Sequence, residues 1–508
     1  MKHPIRTSPS IALVTCEIAT DFGNWAVRDI PQLKSCVVRF KRAVIFWVGL
    51  HSSFIAHALP SFSAQTEQPC KACHLNIGEL TPTGRQFKLK GYTQGNRVMP
   101  FSLTATASVT KVKNTSSSAD ASVTMPKNGK LIPEEANLYV AGKLSDNIGG
   151  NLKWTTSFAN TNPLYGSSGV QTGSRVGHDL FLDASDVRFA QQDEVAAQSV
   201  IWGITLNNAP ASQDLWNTTP VHTFPYRSSS LLNAWGTGQF GPTTMMDGGL
   251  TSQTTGVGAY AMLNDAIYIE LSNYFKTSPG SSALQLSGPV NTINSSSNPY
   301  WRLAWNRING NHSYMLGTFG MVTHLARDAL VAGSASGKYT DIGIDAQYQH
   351  ITDTHSVSAQ ASYIREQMDW GTRSVGRSHD TASGSLSTLK TKVTYDYART
   401  YGSSIFYFKT TGSTDNLYWA YNQDPAVVTG ACNQTNSMLA YCSATGTPKT
   451  SGLGFELYYA PVPQVHIALQ QTYYRTFLGG STFIDNSSGS PRSANNNNLT
   501  YVYVTYAH

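Results

Sequence analysis

The 508-residue chain is poor in charge: Asp, Glu, Lys and Arg together make up 13% of it. The deficit hides no bias of sign. Seven of the 36 basic and three of the 30 acidic side chains fall in residues 1–58, which leaves the remainder at +2. With no basic stripe and almost no net charge, a nucleic-acid partner is excluded. Also missing beyond residue 58 is any run of about 18 apolar residues, so no transmembrane helix is expected there. No Pro-rich, Gly/Ser-rich or charge-block linker divides the chain, which favours one large architecture with a small N-terminal appendage over three ordinary domains.

Cysteine is scarce as well, and the six present fall into pairs. Cys16 and Cys36 lie near the N-terminus, Cys70 and Cys73 stand three apart, and Cys432 and Cys442 sit in a segment rich in Gly, Asn, Ser and Thr. In an oxidising compartment the last pair reads as a disulfide pinning a long loop. What the chain has in quantity is Gly (42), Tyr (26) and Trp (10), with abundant Ser, Thr and Asn. That is the profile of many short strands joined by polar loops.

Residues 1–58 read as a leader. Lys34, Arg39, Lys41 and Arg42 precede the apolar run from Ala43 to Leu50, and Ala56-His57-Ala58 offers small residues at the spacing a signal peptidase reads. Export with cleavage after Ala58 is expected. The residues ahead of the basic cluster exceed what a signal n-region needs and are set aside as an over-extended start or a dispensable extension.

The next stretch carries chemistry. Cys70-Lys71-Ala72-Cys73-His74 is a C-x-x-C-H motif, in which two thiols add across the vinyl groups of a porphyrin and the adjacent imidazole ligates its iron. At this chain's Cys and His frequencies, chance supplies about 0.002 such matches. No second Cys or Cys/His pair stands nearby to complete a zinc tetrahedron. One covalently bound haem c is therefore expected, on Cys70 and Cys73 with His74 axial. Export fits, because such attachment happens outside the cytoplasm. The cytochrome segment, residues 59–100, is too short to build its own core and must pack against the rest of the chain. Met99 is the nearest candidate for the sixth ligand, although its residue type favours a gap-filling role. Met125, His222 and His324 are open alternatives.

From residue 101 the hydrophobic period becomes two. Phe101, Leu103, Ala105, Ala107 and Val109 alternate with Ser102, Thr104, Thr106, Ser108 and Thr110. Val257 to Leu263 lead into an Asn264-Asp265 turn, and Ile267, Ile269 and Leu271 return, which predicts a hairpin. Trp301, Leu303 and Trp305 oppose Arg302 and Asn306, and the same alternation recurs over 342–348, 357–363, 393–397 and 453–459. Soluble sandwiches alternate too, but with shorter strands. Long Tyr- and Trp-rich strands with polar loops behind an export signal predict an all-β fold: a transmembrane antiparallel β-barrel over residues 101–508, of about 16 strands. Its expected place is the bacterial outer membrane, with apolar faces to lipid. Glu270, Asp341, Asp345, Glu366, Asp396 and Glu456 then point into the lumen, where they either pair with Arg302 and other inward basic groups, the favoured reading, or attract a divalent cation. The final strand, Leu499 to His508, lacks the common terminal Phe or Trp.

Three segments together resemble a known family. FSAQTEQPCKACHLNIGELTPTGRQFKLKGYT, the stretch from Trp202 to Tyr226 and YTDIGIDAQYQH from Tyr339 to His350 are similar to the fused outer-membrane cytochrome-porins, whose best-known members are iron oxidases. The resemblance implies a monohaem c-type cytochrome joined to a porin-like barrel, oxidising extracellular Fe(II) and passing the electron to a periplasmic c-type cytochrome or blue-copper protein. Carried over residue by residue, it reaches Cys70, Cys73 and His74. No catalytic acid or base is implied. A porin with an accessory cytochrome, or a relay from a non-iron donor, is the competing expectation.

Overall fold

The computed structural model describes residues 60–76, 78–114, 127–158, 161–165, 171–176, 180–210, 212, 214–218, 227–229, 231, 239–250, 254–276, 293, 297–326, 336–372, 375, 379–420, 441–485 and 489–508. The leader expected over residues 1–58 lies outside them.

The strands form a closed antiparallel barrel of 16 staves. The first half runs Phe101–Val112, Leu131–Lys143, Ile148–Ser157, Asp186–Val195, Gln198–Asn207, Thr254–Leu263, Ile267–Lys276 and Pro299–Asn309. The second runs His312–Ala326, Ser336–Ile351, His355–Asp369, Ser383–Tyr397, Tyr401–Gly412, Thr450–Val462, Val465–Thr476 and Leu499–Ala507. A short piece, Leu180–Leu182, extends the fourth stave along its neighbour. Closure comes from Phe101–Val112, which pairs with the second stave on one edge and with Leu499–Ala507 on the other, from Thr104 opposite Ala507 to Val112 opposite Leu499.

The outward face of the staves is apolar. Leu316 and Ile405 are 61% and 62% exposed, whereas their lumenal neighbours Met315 and Ser404 are buried. With the barrel shut, the ladder of staves has no free edge. The hairpin at Asn264 and Asp265 forms as the sequence predicts: both residues take positive φ, 50° and 53°, and Leu263 pairs with Ile267. Such paired left-handed residues match the right-handed twist of the strands.

Connections at one end are short, two to four residues, as at 144–147, 264–266, 310–311 and 398–400. Those at the other end are long, including 208–253 and 413–449. In outer-membrane barrels the short turns face the periplasm.

Candidate functional site

Residues 60–98 fold back into the short-turn mouth. Three helices, Pro60–Thr66, Cys70–Cys73 and Pro82–Leu89, form a compact knot. Thr81 ties two of them together. Its hydroxyl donates to Ala72 O at 2.6 Å and accepts from Gly84 N at 3.2 Å, capping the third helix, while its own N–H reaches Cys73 O at 2.9 Å. Pro82 at the first helical position loses nothing by lacking an N–H. Gly84 is required by contact: a Cβ there would lie 2.2 Å from Cys73 O. Between the helices the chain doubles back, with His74 bridged to Leu80 and Leu75 N bonded to Glu79 O. Asn76 Oδ1 accepts from the amides of Gly78 and Glu79 and shapes that turn. Phe62, Phe87 and Tyr92 pack behind it, with ring centroids 5.0 to 5.8 Å apart.

Polar bonds, not apolar burial alone, hold the knot to the lumen wall. Arg85 donates to Gln347 (3.0 Å), Gln349 (2.7 Å), Ser313 (2.5 Å) and Leu80 O (3.1 Å). Tyr92 donates to Asp186, Tyr260 donates to Leu89 O, and Gln65 accepts from Lys143 N. Glu79 meets Lys392 at 2.6 Å with both side chains buried. Burial pushes the Glu79 carboxyl up, but the Lys392 ammonium outweighs it and holds the group below the usual carboxylate range. Burial pushes Arg85 and Lys88 down, opposed by Asp214.

A second insert comes from the long-loop side. Asp214 closes a tight turn by accepting from Trp216 N and Thr218 N, and Trp216 is 1% exposed. Its carbonyl accepts from Gln347 and Gln360 on the wall. The two inserts touch: Lys88 Nζ donates to Asp214 O at 2.8 Å, and Asn217 Nδ2 donates to Gly78 O at 2.9 Å. Leu89, Leu215 and Trp216 share one apolar cluster with Tyr260 and Tyr268. Further along, the wide helical turn Met245–Gly249 rests its first two amides on Glu366 and Asp341.

The six lumenal carboxylates are all buried, as their strand positions predict. Of them, Asp345 is ion-paired with Arg302, at 2.6 Å. Glu270 instead accepts from Tyr268 and Ser272, Glu456 accepts from Gln470 and Tyr503, and Asp341 and Glu366 take backbone amides of the insert. Hydroxyls, amides and loop backbone thus fill most of the role expected of basic groups. Among the described residues, no cluster of three or more His, Cys, Asp or Glu side chains is arranged to hold a metal ion.

Cys70 and Cys73 lie on one helical turn, half-buried, and neither is in a disulfide. Burial and the neighbouring Cys70 raise the Cys73 thiol. His74 follows directly; its Nδ1 is enclosed without a hydrogen-bond partner, and burial lowers the ring to about 4. A cleft of about 350 Å³ opens at Cys73 between Gln68, Thr83, Gln86, Phe87 and Gly95. Met99 is 78% exposed at the rim. His324 sits at the long-loop end of its strand, 12 positions from His312, or about 40 Å at 3.3 Å per residue, so it is not brought to the motif. Met125 and His222 lie outside the described residues, as does Cys432; Cys442 is disulfide-bonded.

Closed register, an outward apolar band and asymmetric connections settle the architecture. The fold is a porin-like outer-membrane β-barrel. Among solved structures, the chain is similar to OmpF of Salmonella typhi in complex with daunomycin, with 12% identity, a TM-score of 0.41, and 80% of this chain and 97% of that one covered. The channel DcaP of Acinetobacter baumannii gives 11% identity and a TM-score of 0.40 over 80% and 96% of the two chains. An anion-selective porin from Comamonas acidovorans gives 11% and 0.40 over 80% and 98%. Nothing about substrate is drawn from likenesses this distant. No family model and no curated protein matches the chain.

Anchoring by Arg85, Lys88, Glu79 and Lys392 escaped sequence reasoning. The available signal was two cations, Arg85 and Lys88, on a short helix beside Phe87 and Leu89, where a solvent-facing helix would have matched them with acids.

Proposed function

We propose that this porin-like barrel is an outer-membrane electron-transfer protein, an Fe(II):cytochrome oxidoreductase. Cys70 and Cys73 would hold one haem c and His74 would ligate its iron. Bound there, the group would supply one-electron transfer from extracellular Fe(II) to a periplasmic c-type cytochrome or blue-copper protein.

The observation that carries the reading is the C-x-x-C-H turn seated inside the short-turn mouth. The residues fit the group: two thiols on one turn, an enclosed and unpartnered nitrogen on the adjacent His74, and an open cleft at Cys73. When bound, haem c supplies one-electron chemistry at a potential set by its ligands and surroundings. The chain's own residues do the rest. Thr81 and Gly84 hold the cysteine turn against its neighbouring helix, and Arg85 and Lys88 fix that helix to the wall and to the second insert. Fe(III) is insoluble near neutral pH, so moving only the electron inwards leaves the product outside.

A pyridine haemochrome of the purified protein tests the cofactor, and Cys70→Ser with Cys73→Ser should abolish its covalent retention. In liposomes, stopped-flow reduction of the haem by Fe(II) on the long-loop face is expected. An Fe(II)-inert haem together with bulk solute conductance would reject the reading in favour of a porin with an accessory cytochrome.

A further inference from the structure

Beside the attachment motif lies a charge cluster that the electron-transfer reading leaves unused. Lys392, Thr394 and Asp396 alternate along the stave Ser383–Tyr397, and all three are buried on its lumenal face. Two of them are committed to the cytochrome segment: Lys392 Nζ pairs with Glu79 Oε1 at 2.6 Å, and Thr394 donates to the same oxygen at 3.2 Å. Asp396 has no such partner. Both its carboxylate oxygens are enclosed without a hydrogen bond, although the residue is 1% exposed. The charged groups that face it are Glu79 from the segment, Lys392 from its own strand and Arg399 from the adjoining turn. Behind them stand Glu456, which faces Lys392, and Asp353, which faces Arg399.

An ionised carboxylate with neither hydrogen bonds nor a dedicated cation is costly in such a place. Two carboxylates share the neighbourhood of the Lys392 ammonium, and the Arg399 guanidinium faces Asp396 without a hydrogen bond to it, so the two do not both ionise cheaply. Since Lys392 is in contact with Glu79, the geometry makes Asp396 the group that carries the proton. It lies two residues from the short turn at 398–400.

We propose that electron transfer through this barrel is coupled to exchange of one proton between Asp396 and the short-turn side. This rests on the haem reading above. Glu79 belongs to the loop that doubles back onto His74, so a positive charge gained at the attachment site acts on the Glu79–Asp396 cluster. When the periplasmic carrier removes an electron, the site gains one positive charge and Asp396 releases its proton to water. When the extracellular donor returns the electron, Asp396 takes the proton back. Electrons and protons balance over the cycle.

The test is a potentiometric titration of the full-length protein in detergent, poised with mediators at an electrode, from about pH 5 to about pH 8. For the wild type the reduction equilibrium should shift by up to about tenfold per pH unit within part of that range. Asp396→Asn should flatten the profile and Asp396→Glu should keep it. Should either variant fail to fold, proton uptake on electrode-driven reduction of the wild type, read with a pH dye in weak buffer, decides the matter without it. A haem-loaded wild type whose equilibrium ignores pH and that takes up no proton overturns the proposal, as does an unchanged slope in Asp396→Asn. Absence of a thioether haem overturns the underlying reading instead, and the proposal with it.

Discussion

Replacing Lys392 with methionine is expected to unseat the cytochrome segment, and the size of the effect follows from the Glu79 contact. The pair is 2.6 Å apart, with side chains 3% and 1% exposed. Removing one partner of a buried pair costs about 3–5 kcal/mol, because the other charge is left without compensation. Glu79 can escape part of that cost by binding a proton. From an ordinary carboxyl value of about 4.3, neutralising it at pH 7 costs about 3.7 kcal/mol at 1.36 kcal/mol per unit, which caps the loss near 500-fold in the seating equilibrium. At pH 5 the same cap falls to about 1 kcal/mol. Lys392→Met should therefore lose amide exchange protection over residues 78–90 strongly at pH 7 and weakly at pH 5. Glu79→Gln combined with Lys392→Met removes the stranded charge and should recover most of the loss, as double-mutant logic requires. Hydrogen–deuterium exchange read by mass spectrometry measures this directly. The reasoning is refuted if protection at pH 7 is unchanged, or if the deficit is as large at pH 5 as at pH 7.

Four other outcomes are expected. Gly84→Ala puts a Cβ 2.2 Å from Cys73 O, so the two helices must part by about 1 Å, at roughly 1–3 kcal/mol; covalent haem per folded barrel should fall, whereas Arg97→Ala, exposed and outside the cleft, should leave it unchanged. Arg85→Ala removes four hydrogen bonds to the wall and to Leu80 and should raise single-channel conductance in planar bilayers, and Arg85→Lys should restore little because an ammonium lacks the fork that spans Ser313, Gln347 and Gln349. In the wild type, Glu79 lies below its unfolded value, so its contribution is complete above about pH 4.3 and is lost as pH falls through the lower folded value; exchange protection of the segment should hold at pH 5 and decline in stronger acid. Cys432→Ser and Cys442→Ser should each lower the unfolding temperature by the same amount, equivalent to about 2–4 kcal/mol, and the double variant should add nothing further; unequal single effects would mean that Cys442 is bonded elsewhere.

Much of the barrel was legible because a closed sheet writes its two faces into neighbouring residues. The alternation from Phe101 to Thr110, the Asn264-Asp265 turn and the lumenal placement of Glu270, Arg302 and Asp345 all follow from a period of two. The lumen's contents obey no such period. Arg85 finds Gln347 across 262 positions, and Asn217 finds Gly78 across 139, pairings with no local signature. The insert around Asp214 and Trp216 reads as an ordinary polar loop until its turn is seen closing on Asp214. The expectation that Arg302 pairs with lumenal acids holds for Asp345 and not for the rest, because in a lumen containing inserted chain a carboxylate can also be satisfied by Tyr268 or by the amides of Met245 and Met246.

The same filling bears on what can pass through. Parting the two inserts would break the Lys88–Asp214 and Asn217–Gly78 junction and free Arg85 from three wall residues. At about 1 kcal/mol net for each ordinary hydrogen bond, and more for those with a charged donor, that amounts to several kcal/mol before any apolar contact around Trp216 is opened. The Arg85→Ala and Lys392→Met variants test how far these contacts limit passage, since loosening the seat should increase single-channel conductance.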